Sequence, residues 1–277
     1  MTETNWTLHV IEFARTDPFP WVDLVNGLPG EVPGGLPFSF VLAQRGDRNV
    51  LIDCGFVQDD DPAVFPRKHD IPHWISPLRM LREMGIAPDQ VTDIVVTHAH
   101  FDHMGTIGQF PKAMIHIQKS ELLAWYEALA LPRRYAHLVL NLDPDDMRDA
   151  LEASIEHRIN MIDGDRNNVL PGLHVRLGSG HTIGQQFVLV DTARGRLLIS
   201  GDCLYARENL EGHSHSGSFL PLNNAIGSVW EQLKTLDRIT DELDGEMDRL
   251  IIIHDTERWK GLPVVREVDG FRVFKAG

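Results

Sequence analysis

The 277-residue sequence predicts an α/β fold, an αββα sandwich of two mixed β-sheets flanked by helices. Strand-like segments form two β-rich halves, and the stretch between them, 119–160, has helical spacing. In each half a buried strand ends in a polar residue, as in Leu51-Ile52-Asp53 and Ile199-Ser200-Gly201-Asp202. Strands that end at one edge would bring such residues together between the two sheets.

The first half has the patterns of several strands and one helix. Residues 6–13 alternate as a first strand, and Arg45-Gly46-Asp47 predicts the turn of a hairpin. Pro77 and Gly85 suit the first turn and the end of a helix over 74–85. The acidic, proline-rich stretch before that helix predicts a surface loop over 56–73. The predicted strands are 6–13, 38–43, 49–52, 93–96 and 113–117.

The rest of the chain predicts a helical insertion followed by a second β-rich half. Helical spacing over 121–127 and 145–157 makes 119–160 a mainly helical insertion within a single domain spanning 1–277. Apolar residues recur at three and four over 223–243, which predicts a long amphipathic helix. The predicted strands here are 173–177, 186–190, 196–199, 250–255 and a hairpin over 263–275.

The densest group of candidate ligands is Thr97-His98-Ala99-His100-Phe101-Asp102-His103-Met104-Gly105, directly after a buried strand. If the backbone stays extended, His98, His100 and Asp102 share one face. His103 breaks this alternation, so its side chain must point in another direction. Ligands that point in two directions are required by two neighbouring ions but not by a single tetrahedral ion. The segment therefore predicts a metal site.

Composition limits the other classes of function. A net charge of −14 argues against nucleic acid as a partner, because phosphate contacts need clustered Lys and Arg. No apolar run is long enough to span a membrane, and the first residues lack the pattern of a signal peptide. Two cysteines, Cys54 and Cys203, make no disulfide framework, so we expect a reducing cytoplasm.

The pattern His98-x-His100-x-Asp102-His103 resembles the signature of the metallo-β-lactamase superfamily. The resemblance extends to Gly180-His181-Thr182, to Asp202 and to His254, each at a strand end. It implies the metallo-β-lactamase fold and two divalent ions, with zinc expected from the ligand types and manganese, cobalt or iron left open. It also implies that Asp53 supports the ligands from behind rather than binding metal. The implied ligands are His98, His100 and His181 for one ion, Asp102, His103 and His254 for the other, and Asp202 shared by both.

Within that superfamily, Asp202-x-x-Tyr205 and Phe101 resemble the N-acyl homoserine lactonases, which quench quorum sensing. The resemblance implies a small cyclic ester as substrate, attacked at its carbonyl by a hydroxide held between the ions. Phe101 and Tyr205 would contact the substrate, and the catalytic residues would be Asp102, Asp202 and Tyr205. The alternatives are hydrolysis of a cyclic amide or imide, a thioesterase of the glyoxalase II kind, and a metal-binding scaffold without hydrolysis.

Two further regions are left without an assigned role. Residues 17–37 are rich in proline and carry aromatic side chains, which favours a substrate or subunit contact and is compatible with a homodimer. His213 and His215 lie in a polar loop with no accompanying ligand pattern, so they are interpreted as loop residues that could line a pocket.

Overall fold

A computed structural model describes residues 5–58 and 71–277, and within them the strands form two sheets. The larger sheet contains β1 (Thr7–Arg15), β2 (Pro37–Arg45), β3 (Arg48–Ile52), β4 (His73–Trp74), β5 (Asp93–Val95), β6 (Met114–Gln118), β7 (Ile159–Ile162), β13 (Val264–Val268) and β14 (Phe271–Lys275). The smaller contains β8 (Arg166–Leu170), β9 (Leu173–Leu177), β10 (Gln186–Thr192), β11 (Gly195–Ile199) and β12 (Leu250–Ile251). The nine strands of the larger sheet have the order β13-β14-β1-β2-β3-β5-β6-β7, with β4 paired to β1. The five strands of the smaller sheet have the order β12-β11-β10-β9-β8.

Seven α-helices and several 3₁₀ turns connect these strands in the described residues. Ser228 caps the longest helix, since its side chain accepts a hydrogen bond from the Glu231 amide. Asp143 caps the helix over Pro144–Ile155 in the same way, since its side chain accepts a hydrogen bond from the Asp145 amide. The helices are α1 (Pro77–Glu83), α2 (Phe101–Met104), α3 (Lys119–Ala130), α4 (Pro144–Ile155), α5 (Glu208–Glu211), α6 (Val229–Leu243) and α7 (Thr256–Trp259). The 3₁₀ turns are Trp21–Asp23, Pro88–Gln90, Ile107–Gln109, Arg133–Val139, Gly201–Cys203, His213–His215 and Met247–Arg249.

Three apolar clusters show that these elements form four layers. The middle cluster joins the inner faces of both sheets, for example Val50 of β3 with Val188 of β10. A second cluster packs α3 and α4 on the larger sheet, and a third packs α6 on the smaller one. This arrangement is the predicted αββα sandwich.

Parallel strands set the position of the candidate site. β3, β5, β6 and β7 run parallel in the larger sheet, so their carboxyl ends lie at one edge. β11 and β12 are parallel in the smaller sheet, which brings the segments after them together. Ligands of open α/β sheets bind beside such carboxyl ends, and the residues singled out in the sequence follow these strands.

Some predicted boundaries are wrong. The helix predicted over 223–243 begins only at Val229, after the Ser228 cap, and the strand predicted over 250–255 ends at Ile251. In the helix predicted over 74–85, Pro77 lies in the first turn as expected, but Trp74 is outside the helix because His73–Trp74 pairs with β1 as a short strand. Most of the surface loop predicted over 56–73, residues 59–70, lies outside the described residues, as do residues 1–4.

The proline-rich stretch 17–37 packs onto the body of the protein. Leu24, Val25 and Leu28 are buried in the cluster on the outer face of the larger sheet. The stretch also pairs with a later segment, since Val25 forms a β-bridge with Leu222. In the part of the chain that is described, no helix is long and apolar enough to cross a membrane.

Candidate metal centre

The segment after β5 bends at His100. The backbone is extended at His100, which caps the short helix α2 beginning at Phe101. The prediction of extended backbone through Asp102 is therefore wrong. The helical turn places Asp102 and His103 in one candidate ligand group, whereas His98 and His100 belong to another, although the His98 and His103 rings lie side by side, 4.0 Å apart centroid to centroid.

The first group joins the loop after β5 to the turn between β9 and β10. His100 Nδ1 lies 3.0 Å from His98 Nε2 and 3.0 Å from His181 Nε2. All three imidazoles are buried, at most 3% exposed. Burial, with the neighbouring imidazoles, holds the pKa of His98 and His100 well below the usual range, and burial lowers that of His181 to about 4. These rings are thus neutral at neutral pH, the form that binds a metal ion.

The second group joins helix α2 to the segment after β12. Asp102 Oδ2 lies 3.2 Å from His103 Nε2 and 3.4 Å from His254 Nε2. His254 Nδ1 donates to the Pro37 carbonyl at 2.7 Å, so Nε2 is the nitrogen left to bind a metal ion. The opposite nitrogen of His103 is likewise engaged, with Asp53. In both rings Nε2 therefore faces the carboxylates.

Asp202 lies between the two groups and directs one oxygen at each. Its Oδ2 is 3.4 Å from His181 Nε2 and 3.8 Å from His98 Nε2. Its Oδ1 is 3.3 Å from His103 Nε2 and 3.1 Å from His254 Nε2. A carboxylate in this position can hold two cations at once and offset part of their mutual repulsion.

These residues fit two divalent ions. His103 Nε2, His254 Nε2 and Asp202 Oδ1 are buried without a hydrogen-bond partner in the described structure, as expected for atoms that bind a cation instead. Neighbouring candidate atoms lie 3.0–3.8 Å apart. Zinc–nitrogen bonds of about 2.0–2.1 Å place ligands about 3.3 Å apart around a tetrahedral ion.

The electrostatics of the centre also favour positive charge. Burial lowers the pKa of His254, but Asp202 and Asp102 raise it to about 9. Burial raises the pKa of Asp202, and the facing His103 and His254 hold it well below the usual range. A pair of carboxylates that stays ionised in a buried place stabilises a cation there.

Asp53 lies behind the second group. Its Oδ2 accepts from His103 Nδ1 at 2.8 Å and from Thr97 Oγ1 at 2.9 Å, and its Oδ1 accepts from the Thr97 amide at 2.7 Å. Such a contact orients the ring and increases its basicity. The segment that carries Asp202 can pack against Thr97 only because residue 201 is glycine (φ +52°), since an added Cβ would lie 2.8 Å from Thr97 Cβ.

Tyr205 reaches the same shared carboxylate. Its hydroxyl donates to Asp202 Oδ2 at 2.5 Å and accepts from Asn224 Nδ2 at 2.9 Å. Its ring lies 5.2 Å from the His254 ring, centroid to centroid. Burial and the Asp202 charge raise the pKa of Tyr205 well above its usual value, so the phenol keeps its proton.

Phe101 lies in an aromatic cluster beside the centre. Its ring is 5.2 Å from Phe56 and 6.4 Å from Phe38, and the Phe38 ring is 5.3 Å from His254. Phe101 is only partly buried, so one side of this apolar wall remains accessible.

Among the described residues, His116, His213 and His215 belong to neither ligand group. His213 and His215 are exposed, and His215 pairs with Glu211 at 3.0 Å. His116 is buried in β6 against Asp93 at 2.9 Å.

Sequence reasoning missed Glu121, Trp125 and Asn224. Glu121 is buried at the start of α3 and contacts the segments that carry His98, His100 and His181. The sequence holds a signal, because Glu121, Leu122 and Trp125 share one face of a predicted helix. An acidic residue on an apolar face must find hydrogen-bond donors. No local pattern points to Asn224.

Fold and site together define a protein with a candidate dinuclear metal centre between two β-sheets. The sequence model of the metallo-beta-lactamase superfamily matches residues 32–247. The chain belongs to this superfamily.

Several relatives are N-acyl homoserine lactonases. That of Bacillus cereus is 27% identical over 189 residues, which cover 68% of this chain and 65% of the relative, so the alignment spans just under two thirds of that protein. That of a Bacillus species is 26% identical over 252 residues, covering 86% and 89%. Among solved structures, a quorum-quenching N-acyl homoserine lactone lactonase superposes with a TM-score of 0.72 at 23% identity, over 96% of this chain and 98% of that one. This last likeness shows the fold.

Proposed function

We propose that the protein is a dinuclear metal-dependent hydrolase that opens the ring of an N-acyl homoserine lactone or a similar cyclic ester. The observation that carries the proposal is the position of Asp202. This carboxylate directs one oxygen at each ligand group and also accepts the hydrogen bond of Tyr205. Two ligand groups, a shared carboxylate and a phenol thus converge on one point.

The chain's own residues divide the work between binding and proton transfer. Two divalent ions, most simply Zn²⁺, would supply an activated water and polarise the substrate carbonyl. Tyr205 keeps its proton and can donate a hydrogen bond to the oxygen on which negative charge develops. Asp102, buried in the second group, or a bound water could return a proton to the leaving oxygen.

The apolar surroundings support an acyl substrate. Phe101, Phe56 and Phe38 form a wall beside the second ligand group, and Phe101 is partly accessible. An apolar wall beside convergent polar groups is typical of a small-molecule site. The lactonase relatives support a homoserine lactone in that position, and with it a quorum-quenching role.

The cellular setting is part of the same proposal. Cys54 and Cys203 are both buried free thiols, which supports a reducing cytoplasm. Burial raises the pKa of Cys54 to about 12, so that thiol is inert at neutral pH. A homodimer remains a proposal that rests on the sequence of the 17–37 stretch.

The test is a substrate panel on protein loaded with zinc. Ring opening of an N-acyl homoserine lactone releases acid, which a pH indicator follows, and an unsubstituted γ-lactone, a cyclic imide and a thioester complete the panel. We expect turnover of the acyl lactone, and loss of it in Asp202→Asn. Asp163→Asn removes a carboxylate whose side chain is 88% exposed and should leave the rate unchanged.

Two outcomes would overturn the proposal. Hydrolysis of the imide or thioester without turnover of either lactone would assign the centre to another substrate class. Absence of turnover on the whole panel, with two ions bound per chain, would reject the hydrolase itself.

A further inference from the structure

Glu121 is a buried carboxylate outside both candidate ligand groups. It lies in the first turn of α3 and is 0% exposed. Its Oε1 accepts from the Ala99 amide at 2.9 Å and from Trp125 Nε1 at 2.7 Å. Its Oε2 accepts from Thr182 Oγ1 at 2.8 Å and from the Gly184 amide at 2.8 Å. Every one of these partners is a donor, so the four contacts favour the carboxylate and oppose the rise in the pKa of Glu121 that burial causes.

The four donors come from α3 itself and from the segments that carry the first ligand group. Ala99 lies between His98 and His100, and Thr182 directly follows His181. Glu121 therefore joins the loop after β5 to the turn between β9 and β10, which belong to different sheets. Gln186, the first residue of β10, also crosses between the sheets, since its side chain donates to the Val96 carbonyl at 2.8 Å and its amide to the Thr97 carbonyl at 2.9 Å. Glu121 differs because its contacts lie between His98 and His100 and directly after His181.

The turn between β9 and β10 packs closely against the start of α3, which is a second, independent observation that Glu121 holds this turn in place. A Cβ on Gly184 would lie 2.1 Å from the Glu121 amide nitrogen, so the turn can pass the helix start only with glycine. Trp125 closes the other side, since its ring lies 5.6 Å from the His100 ring. The first group is thus held by a rigid element.

The second group has a different support. Asp53 contacts His103 and Thr97, and its hydrogen bonds do not involve the His181 turn. The Thr97 hydroxyl also lies 3.1 Å from His98 Nδ1, so Asp53 contacts the second group directly and reaches the first only through Thr97. Glu121, by contrast, has its described hydrogen bonds outside α3 only with the segments that carry the first group. Contacts behind metal ligands typically change metal affinity 10–100-fold when removed.

We propose that Glu121 is a positioning residue that sets the affinity for the ion held by His98, His100 and His181, with little effect on the other ion. This rests on the proposed dinuclear centre. Glu121 touches neither ion nor substrate, and acts through the two ligand-bearing segments.

The test is metal binding by the full-length protein, with Zn²⁺ and Co²⁺ as probes. Chelator competition resolves the binding steps, and elemental analysis gives the number of ions per chain. In Glu121→Gln we expect one step to weaken 10–100-fold and the other to stay within about twofold. The amide keeps the volume but turns an NH₂ group towards two donors. Asp53→Asn should weaken mainly the other step, because Asp53 contacts His103 directly and reaches His98 only through Thr97.

Matched controls separate this role from a general loss of structure. Glu127→Gln makes the same change at an exposed position of the same helix and should bind both ions as the wild type does. Thr182→Val removes the hydroxyl that donates to Glu121, and it should weaken the same binding step as Glu121→Gln does. Thr182→Ser keeps the hydroxyl and should bind both ions with the affinity of the wild type. Circular dichroism of the metal-free variants checks the fold.

The outcomes also distinguish this inference from the proposed function. Equal weakening of both steps in Glu121→Gln, or behaviour like that of Glu127→Gln, would overturn the positioning role while leaving lactone turnover by the wild type intact. Two bound ions without lactone turnover would reject the function and leave the Glu121 result standing. Fewer than two ions in the wild type would overturn both.

Discussion

Removal of the Tyr205 hydroxyl is the most direct probe of the proposed chemistry. Tyr205→Phe deletes one oxygen and leaves the ring, which packs 5.2 Å from the His254 ring. The deleted atom makes two contacts, to Asp202 Oδ2 and from Asn224 Nδ2. The change therefore removes a candidate donor to the developing oxyanion without opening a large cavity.

Loss of this hydroxyl should lower both the catalytic rate and the stability of the protein. Loss of one donor to a developing oxyanion lowers kcat by about 10²–10³. Loss of the hydroxyl also leaves Asn224 Nδ2 without its acceptor in a mostly buried place, which costs about 1–3 kcal/mol of stability. We expect kcat to fall by that factor, KM to change little, and the unfolding temperature to fall by a few degrees.

Steady-state kinetics on a homoserine lactone, metal content and thermal unfolding measure the three effects. Tyr126→Phe removes a hydroxyl from a partly exposed tyrosine on α3 and serves as the matched control. A kcat within threefold of the wild type, at two ions per chain, would refute the oxyanion role. A fall in kcat that accompanies a loss of metal would assign Tyr205 to support of Asp202 instead.

Three further predictions concern packing, charge and metal. Gly201→Ala should lower the free energy of unfolding by about 1–3 kcal/mol more than Gly46→Ala does. Both glycines have positive φ, but an added Cβ would lie within 3 Å of Thr97 only at Gly201, and chemical denaturation of the two variants measures the difference. Burial raises the pKa of Asp93, but hydrogen bonds from His116 and Thr92 hold it below its usual value, so its contribution is present above the unfolded pKa of about 3.9 and is lost as pH falls further. The stability gap between wild type and Asp93→Asn should thus be full at pH 6 and shrink below about pH 4, and a gap independent of pH would contradict this. Chelation of the metal should lower stability by about 2.7 kcal/mol relative to protein with zinc at 100 times its Kd, and added zinc should restore it; an unfolding temperature indifferent to chelator would show that these groups bind no ion.

The candidate ligands could be found from the sequence because they follow strands, and the local sequence pattern of each strand predicts it. Apolar runs predict the strands before His98 and Asp202, and the density of histidine and aspartate after the first of these strands indicates ligands. The boundaries that failed lie where tertiary contacts override local pattern. His73–Trp74 pairs with β1, and the chain after Ile251 leaves the sheet to place His254.

The grouping of the ligands shows the same limit. Alternation along an extended backbone placed Asp102 with His98 and His100, whereas the resemblance to the superfamily placed it with His103 and His254. The structure has a helical turn there and brings Asp102 together with His103 and His254. A four-residue helix has too few residues for periodicity to reveal it.

By itself the sequence determined the fold class, the superfamily and the residue types at each strand end, because those depend on short segments whose periodicity and composition are local. Only the tertiary structure decided which of these residues meet, and what supports them. Glu121 reaches Thr182 across 61 residues, and His254 donates to Pro37 across 217. Such contacts depend on how two sheets and a helix pack, and no local pattern encodes that distance.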